Sequence, residues 1–345
     1  MRKILFPISM LALLILIFSV PAYSQEIKIA ACIYDFKDAF MNRFRNAMAK
    51  EAEISGIKFE MVDSMKNQNL QFDQVEDLIS EGVSALIINP VNRMDMGAII
   101  EKAKDANIPI VFINREPVAE DLNLYDRAYY VGSRPEEAGT LSGLMIAEYF
   151  KAHPEADKNN DGKIQFVMLK GENGHQDMYA RSKYSVEAIS EAGYDPVEVA
   201  SAIANWDKFQ AMVILNGFVM SIGAENIEAI IANNDEMALG AVETLKSIDY
   251  NKGDPEKFIP IVGVDGNAGA LLAINDDEMI GTVLQDAETQ GACAVRLALT
   301  AAKGLEINAE NIGYEISKGY DTSDNKYIWI PYQKITKAEK LEKGE

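Results

Sequence analysis

Cysteine, histidine and tryptophan occur only twice each in the 345 residues. Cys32 and Cys293 lie far apart and cannot supply a disulfide framework. Basic charge is also short: 33 Lys and Arg stand against 53 Asp and Glu, a formal net charge of −20. Nucleic-acid binding rests on neutralising phosphates, so no partner of that kind is expected. The stretch "GENGHQD" at 171–177 lacks the lysine of a phosphate loop, so no ATP site is expected either. Low-complexity tracts are missing, and a long apolar run occurs only at the amino end.

That run has three parts. Arg2 and Lys3 precede "ILFPISMLALLILIFSV", and "AYS" follows just before Gln25. This is the pattern of a secretory signal peptide covering residues 1–24, cleaved near Ser24. Its uninterrupted core, Leu11 to Phe18, is shorter than the roughly 20 residues a spanning helix needs, which disfavours an uncleaved anchor. "IAAC" at 29–32 superficially resembles a lipid-attachment box, but Glu26 and Lys28 separate it from the apolar run, and Cys32 reads as a strand residue. Losing Arg2 and Lys3 takes the charge to −20 − 2 = −22. About 320 residues then remain, enough for two lobes.

From Glu26 onward short apolar runs alternate with helical patterns. "IKIAACIY", "IKFEMVD", "VSALIINP", "IPIVFIN" and "YYVG" are the strands of a first lobe. Phe40, Phe44 and Met48 recur every four residues and give the first helix an apolar face. After the polar stretch 151–163 the pattern restarts, with strands expected at 163–169, 227–232, 259–264 and 280–284. The fold class is therefore α/β, with two doubly wound parallel-sheet lobes. In such sheets ligands lie beyond the carboxyl ends of the strands.

Those ends carry an unusual set of side chains. Tyr34, Asp38 and Phe40 follow the first strand, Asn114 and Arg115 follow "IPIVFI", and His175, Asp177 and Arg181 follow "FVMLKG". The second lobe adds Trp206, then Asn234 with Asp235, Asp265, and Gln285 with Asp286. Amides, carboxylates, guanidinium and imidazole can each bond two neighbouring hydroxyls, so a neutral ligand rich in hydroxyls fits. Phe40 and Trp206 would cover the two C–H faces of its ring. Singly, each residue has a plainer role: Asp38 as a helix cap, Asp177 and Arg181 as an i,i+4 ion pair, Trp206 as packing. His153 reads as surface and Trp329 as packing. The coincidence at nearly every strand end favours a site.

"DKNNDGKIQ" at 157–165 matches the first nine positions of a calcium loop, with oxygens at Asp157, Asn159 and Asp161, the bend at Gly162 and a further oxygen at Gln165. Met168 stands where the bidentate Glu belongs, and the chain runs on into a strand. Glu228, opening a neighbouring parallel strand, is placed to close an oxygen cage around a structural cation. A solvated turn is the plainer alternative.

"NREP", "YDRAYYVG", "DKNNDGKIQFVMLKGENGHQDMYAR", "IIANNDEMALGAVE", "VGVDG" and "GTVLQDA" resemble the periplasmic D-galactose/D-glucose-binding proteins, class I binding proteins that serve an ABC sugar importer. The resemblance runs over essentially the whole mature chain. It implies periplasmic location and sugar contacts from Tyr34, Asp38, Asn114, His175, Asp177, Arg181, Asn234 and Asp265, with Phe40 and Trp206 as the sandwich. It implies calcium held by Asp157, Asn159, Asp161, the Lys163 carbonyl, Gln165 and Glu228. Two positions depart: Arg115 stands for the family's Lys, a rigid fork for a flexible charge, and Gln285 for Asn. Both leave the ligand class intact and put the galactose-to-glucose ranking in doubt. The implied frame is a first lobe of 25–132 plus 286–320 and a second of 133–285 plus 321–345, joined by a three-stranded hinge near 132–134, 285–287 and 320–323. A monomer is expected, read by a membrane permease and by a chemoreceptor. The rivals are a ribose binder and, less favoured, a glycoside-processing enzyme using Asp38 and Asp265; a sugar-responsive repressor would need a basic helix-turn-helix where the leader stands.

Overall fold

The computed structural model describes residues 26–319 and 325–337. The leader expected at 1–24 and the third crossing expected at 320–323 lie outside the described residues. The first lobe runs β1 (Lys28–Ile33), α1 (Ala39–Ser55), β2 (Lys58–Asp63), α2 (Gln68–Ser80), β3 (Ala85–Ile88), α3 (Gly97–Asp105), β4 (Ile110–Ile113), a single turn α4 (Ala119–Leu122) and β5 (Ala128–Gly132). The second begins with α5 (Pro135–Ala152) and continues through β6 (Lys163–Lys170), α6 (Gln176–Glu191), β7 (Asp195–Ile203), α7 (Lys208–Ile222), β8 (Ala229–Ala232), α8 (Asp235–Ser247), β9 (Ile261–Asp265), α9 (Ala268–Asn275) and β10 (Gly281–Leu284). The chain then returns through α10 (Ala287–Ala302), α11 (Ala309–Ile312), β11 (Tyr327–Trp329) and β12 (Gln333–Thr336).

Two six-stranded sheets result, ordered β11-β5-β4-β3-β1-β2 and β12-β10-β9-β8-β6-β7. All pairings are parallel except β10 with β12. β3, β4 and β5 are buried along their whole length, because helices cover both faces of the sheet, which is why they read as unbroken apolar runs. In the first lobe α1 and α10 close one face, where Phe44 and Met48 pack with Cys293 and Leu297; α2 and α3 close the other. In the second lobe α5 and α6 cover one face, α7, α8 and α9 the other. β7 was not legible as an apolar run, since Asp195, Pro196 and Glu198 interrupt it; it is a half-exposed edge strand.

The expected lobe boundary needs one correction. Residues from 321 onward were assigned to the second lobe, yet Tyr327–Trp329 pair in parallel with β5 of the first sheet. Ile328 and Ile330 belong to the first lobe's core, and Tyr327 and Trp329 stack with ring centroids 5.0 Å apart against Tyr130. The last crossing therefore falls between Trp329 and Gln333, where the chain passes from one sheet to the other. Trp329 is packing, as read from the sequence.

α5 and α6 approach closely because Gly143 has no side chain. A Cβ there would stand 2.2 Å from the Ser185 carbonyl oxygen and 2.9 Å from the Ala188 methyl. Replacing Gly143 with Leu should cost about 1–3 kcal/mol by overpacking, read as a lower denaturant midpoint with an unchanged slope.

Candidate functional site

The carboxyl ends of both sheets face one cleft, and all twelve residues proposed for a ligand line a single cavity there, with an empty volume of about 340 Å³. Tyr34 leaves β1, and Asp38 caps α1, one carboxylate oxygen accepting the Met41 amide at 2.8 Å and the other the Tyr34 hydroxyl. The cap role and the site role thus belong to one side chain. Phe40 lies in the first turn of α1 and is nearly buried. Asn114 turns off β4 with φ 59°, a left-handed conformation that Asn tolerates better than most residues. Its neighbour Arg115 stacks its guanidinium 3.8 Å from the Tyr34 ring centroid and pairs with Glu172 at 2.6 Å.

Glu172 belongs to the second lobe, so that ion pair crosses the cleft. Gln176 also crosses, donating to the Asn114 carbonyl at 2.8 Å, and Arg43 of α1 donates to the Asp265 carbonyl at 3.1 Å. Sequence reasoning did not single out Glu172. Its signal was available, since it stands two residues beyond β6, where the neighbouring His175 was noticed.

From the second lobe, His175 caps α6 through Nδ1, which accepts the Asp177 amide at 3.2 Å. Burial, reinforced by Arg115 and Arg181, holds its imidazole well below the usual titration range. The ring is therefore neutral with its proton on Nε2, a donor. Arg181 is fully enclosed. It donates to Asp177 at 2.7 Å, the Asn233 carbonyl at 2.8 Å, Gln285 at 2.8 Å and the Tyr332 hydroxyl at 2.9 Å. Its Nε and that of Arg115 are buried without a partner inside the protein. Burial pushes the Asp177 carboxyl up against the opposing pull of Arg181, and pushes the Asp265 carboxyl up further, helped by Asp235 and Asp38.

Trp206 and Asp265 sit on strained backbone, with φ 64° and 128°. Trp206 lies flat over Gly171, where a Cβ would meet the indole at 2.0 Å, and its edge meets the His175 ring at 5.1 Å. Asn234 caps α8 and donates to the Trp206 carbonyl at 3.3 Å. Gln285 spends its carbonyl on Arg181. Asp235 and Asp286, noted at strand ends, do not line the cavity. Asp235 accepts the Thr282 hydroxyl at 2.6 Å and the Asn267 amide at 2.7 Å, and Asp286 caps α10 through Thr289. Two guanidiniums face three carboxyls, of which two are pushed toward neutrality. Such a site suits a neutral, hydroxyl-rich molecule.

The residues expected to hold a cation lie at the opposite, amino ends of the second sheet. β6 and β8 are parallel neighbours, and the Glu228 amide donates to the Gln165 carbonyl at 2.8 Å. The buried Glu228 carboxylate reaches across the loop, accepting the Lys158 amide at 2.8 Å and the Gln165 amide at 3.0 Å. Burial pushes this carboxyl up. Within the loop Asp157 and Asn159 accept the Asp161 amide, and Gly162, at φ 76°, makes the bend. Among the described residues no three imidazole, thiolate or carboxylate groups converge to hold a metal by themselves. The expected set includes three carboxylates, Asp157, Asp161 and Glu228, and these are not gathered into such a cluster here. The Gln165 side-chain amide oxygen is buried with no partner, which fits an oxygen-seeking cation.

Two lobes closing on a cleft define a solute-binding architecture, and the chain belongs to the family described as periplasmic binding protein domain, whose model matches residues 29–306. It is 39% identical over 317 residues to the D-galactose/methyl-galactoside binding periplasmic protein MglB of Haemophilus influenzae, covering 92% of this chain and 91% of that one. It is 28% identical to the ribose import binding protein RbsB of Bacillus subtilis, covering 82% and 84% of the two chains. Among solved structures, an ABC transporter solute binding protein from Bacillus halodurans with bound myo-inositol matches with a TM-score of 0.74 and 29% identity, over 94% of this chain and 99% of that one. Among the described residues no helix is long and apolar enough to cross a membrane.

Arg181 holds the second lobe's share of the cavity together. Arg181→Met should destabilise the fold by about 3–5 kcal/mol, because Asp177 is left buried and unpaired. Adding Asp177→Asn should restore part of that loss in thermal denaturation.

Proposed function

We propose that this chain is exported to the periplasm, its leader cleaved near Ser24, and captures one monosaccharide, D-galactose or D-glucose, by hinge closure. It then presents the closed form to an ABC permease, and a chemoreceptor reads the same form. The observation that carries this reading is the convergence of five residues of the first lobe, Tyr34, Asp38, Phe40, Asn114 and Arg115, with seven of the second on one cavity. Phe40 and Trp206 then sandwich the pyranose ring, while Asp38, Asn114, His175, Asp177, Arg181, Asn234 and Asp265 bond its hydroxyls. Closure follows from better affinity for the closed arrangement, in which both lobes contribute bonds at once.

Binding without turnover is the function that this family supports. A glycosidase would need one carboxyl acting as proton donor and a second at fixed separation across a glycosidic bond. Here Asp38 is committed to the Tyr34 hydroxyl and the Met41 amide. Gln285, drawn to Arg181, and Arg115, drawn to Glu172, leave the hexose class intact and bear on the ranking of galactose against glucose. Calorimetry against galactose, glucose, ribose and myo-inositol should give one site per chain, with the preferred hexose bound at least about 100-fold, or roughly 2.7 kcal/mol, more tightly than ribose. Equal affinity for ribose would overturn the hexose assignment.

We further infer a structural calcium ion held by Asp157, Asn159, Asp161, the Lys163 carbonyl, Gln165 and Glu228. The unpartnered Gln165 oxygen and the buried Glu228 carboxylate support it. Calcium at about 1,000 times its dissociation constant should add about 4 kcal/mol to stability. Chelation should therefore lower the melting temperature of the native chain and leave Glu228→Gln unaffected; an unchanged native melting curve would sink the cage.

A further inference from the structure

The outer face of α7 makes no contact that the fold requires. Phe209, Val213, Gly217 and Met220 follow one another at about one residue per turn. The three large side chains are 73%, 74% and 81% exposed, and the space above Gly217 is open. The second lobe's core uses the inner face instead, through Ala211 and Leu215. A surface helix ordinarily turns polar residues outward. Here the sequence "KFQAMVILNGFVMSI" contains one charged residue, Lys208, and no carboxylate, on a chain of net charge −20.

We propose that this face pairs with the same face of a second copy of the chain, the two α7 helices running antiparallel about a two-fold axis near residues 214 and 215. A two-fold contact must be self-complementary, and this stripe is. About that axis Val213 of each copy meets the bare backbone of Gly217 in the other, a knob against a hole. Phe209 meets Met220, an aromatic ring against a thioether, which is a favourable contact. A parallel arrangement would set Gly217 on Gly217 and Lys208 on Lys208.

Charge and hydrogen bonding agree with the antiparallel register. It carries Lys208 of one copy, which also pairs with Glu243 of its own chain at 3.4 Å, toward the turn Ala224–Asn226 of the other, which bears Glu225. The helix itself holds no carboxylate, and its cap Asp207 travels with Lys208 toward the same turn, where the lysine offsets it. Two polar groups beside the stripe are bonded within their own chain, Gln210 accepting from Asn205 at 2.8 Å and the Ser221 hydroxyl donating to the Phe218 carbonyl at 3.1 Å, while the Asn216 amide meets the Met220 sulfur at 3.9 Å. Those bonds survive burial.

The exposed apolar area, on the order of 300 Å² per copy, is the size at which surface patches mark contacts. It falls well short of the ~800 Å² per partner of a standard stable interface. The chain is therefore a single copy when dilute and pairs with a dissociation constant on the order of 0.1–1 mM.

Sedimentation equilibrium of the mature chain from about 10 μM to about 1 mM tests this, since that range spans the expected constant. The weight-average mass should climb from one chain toward two, and Phe209→Asp or Val213→Asp should hold it at one with unchanged melting temperature. Cys32 and Cys293 are buried, which leaves a clean background for cross-linking. Under copper-catalysed air oxidation a mixture of Val213→Cys and Gly217→Cys chains should form a covalent dimer, and neither variant alone should do so. A native chain that stays single at the highest loading overturns the proposal, as does stronger cross-linking of Val213→Cys by itself. Binding of single chains to phosphatidylethanolamine/phosphatidylglycerol vesicles, lost in Phe209→Asp, would assign the face to lipid and overturn it as well.

Discussion

The enclosed Arg181 guanidinium is the group around which the second lobe's half of the cleft is built. It joins its own helix, through Asp177, to the end of β8 through the Asn233 carbonyl, to the crossing after β10 through Gln285, and to the last crossing through Tyr332. A charge taken out of water needs an opposite charge and bonded donors, and Arg181 has Asp177 and four bonds, with its Nε unpartnered. The four acceptors, on four separate segments, are therefore held in position by one side chain. Two of those segments are crossings between the lobes, so the same group that shapes the cavity also sits where the chain passes from one lobe to the other.

Across the cleft the corresponding role falls to Arg115. It stacks on Tyr34 and reaches Glu172 of the other lobe, so the cleft is bridged by a group that also lines its cavity. A planar fork can stack face to face and pair through two donors at once, a geometry that a lysine ammonium lacks. The strained backbone at Trp206 and Asp265 belongs to the same economy of space. Trp206 lies over the bare backbone of Gly171, and only a glycine there leaves room for the indole. Strain at these positions is held by the packed sheets beneath them.

At the other end of the second lobe the chain solves a different problem. A loop rich in carboxylates would repel itself, and it is organised by main-chain amides and by Glu228, which arrives from the adjacent strand. The loop and the cleft lie at opposite ends of the same strands, so a cation in the one would stand apart from a ligand in the other. The apolar outer face of α7 stands apart from both, on the flank of the second sheet, where contact with another chain leaves the cleft and the loop untouched.

The strands of both sheets were legible because parallel strands covered on two faces must be apolar throughout, as "SALII" and "IPIVFI" are. The cleft was legible because ligand groups cluster where such strands end, and one residue after another fell there. β7 was not, since an edge strand carries Asp195, Pro196 and Glu198 without penalty, and neither was Glu172, whose importance lies in a partner 57 residues away. Sequence alone determined the two-lobed α/β class and the identity of the cavity's side chains, because burial and strand-end position are written in local pattern. Only the tertiary structure decided that Tyr327–Trp329 belong to the first sheet and that Asp235 and Asp286 turn away from the cleft. Both depend on which strand lies next to which, and adjacency is settled by packing between segments distant in the chain.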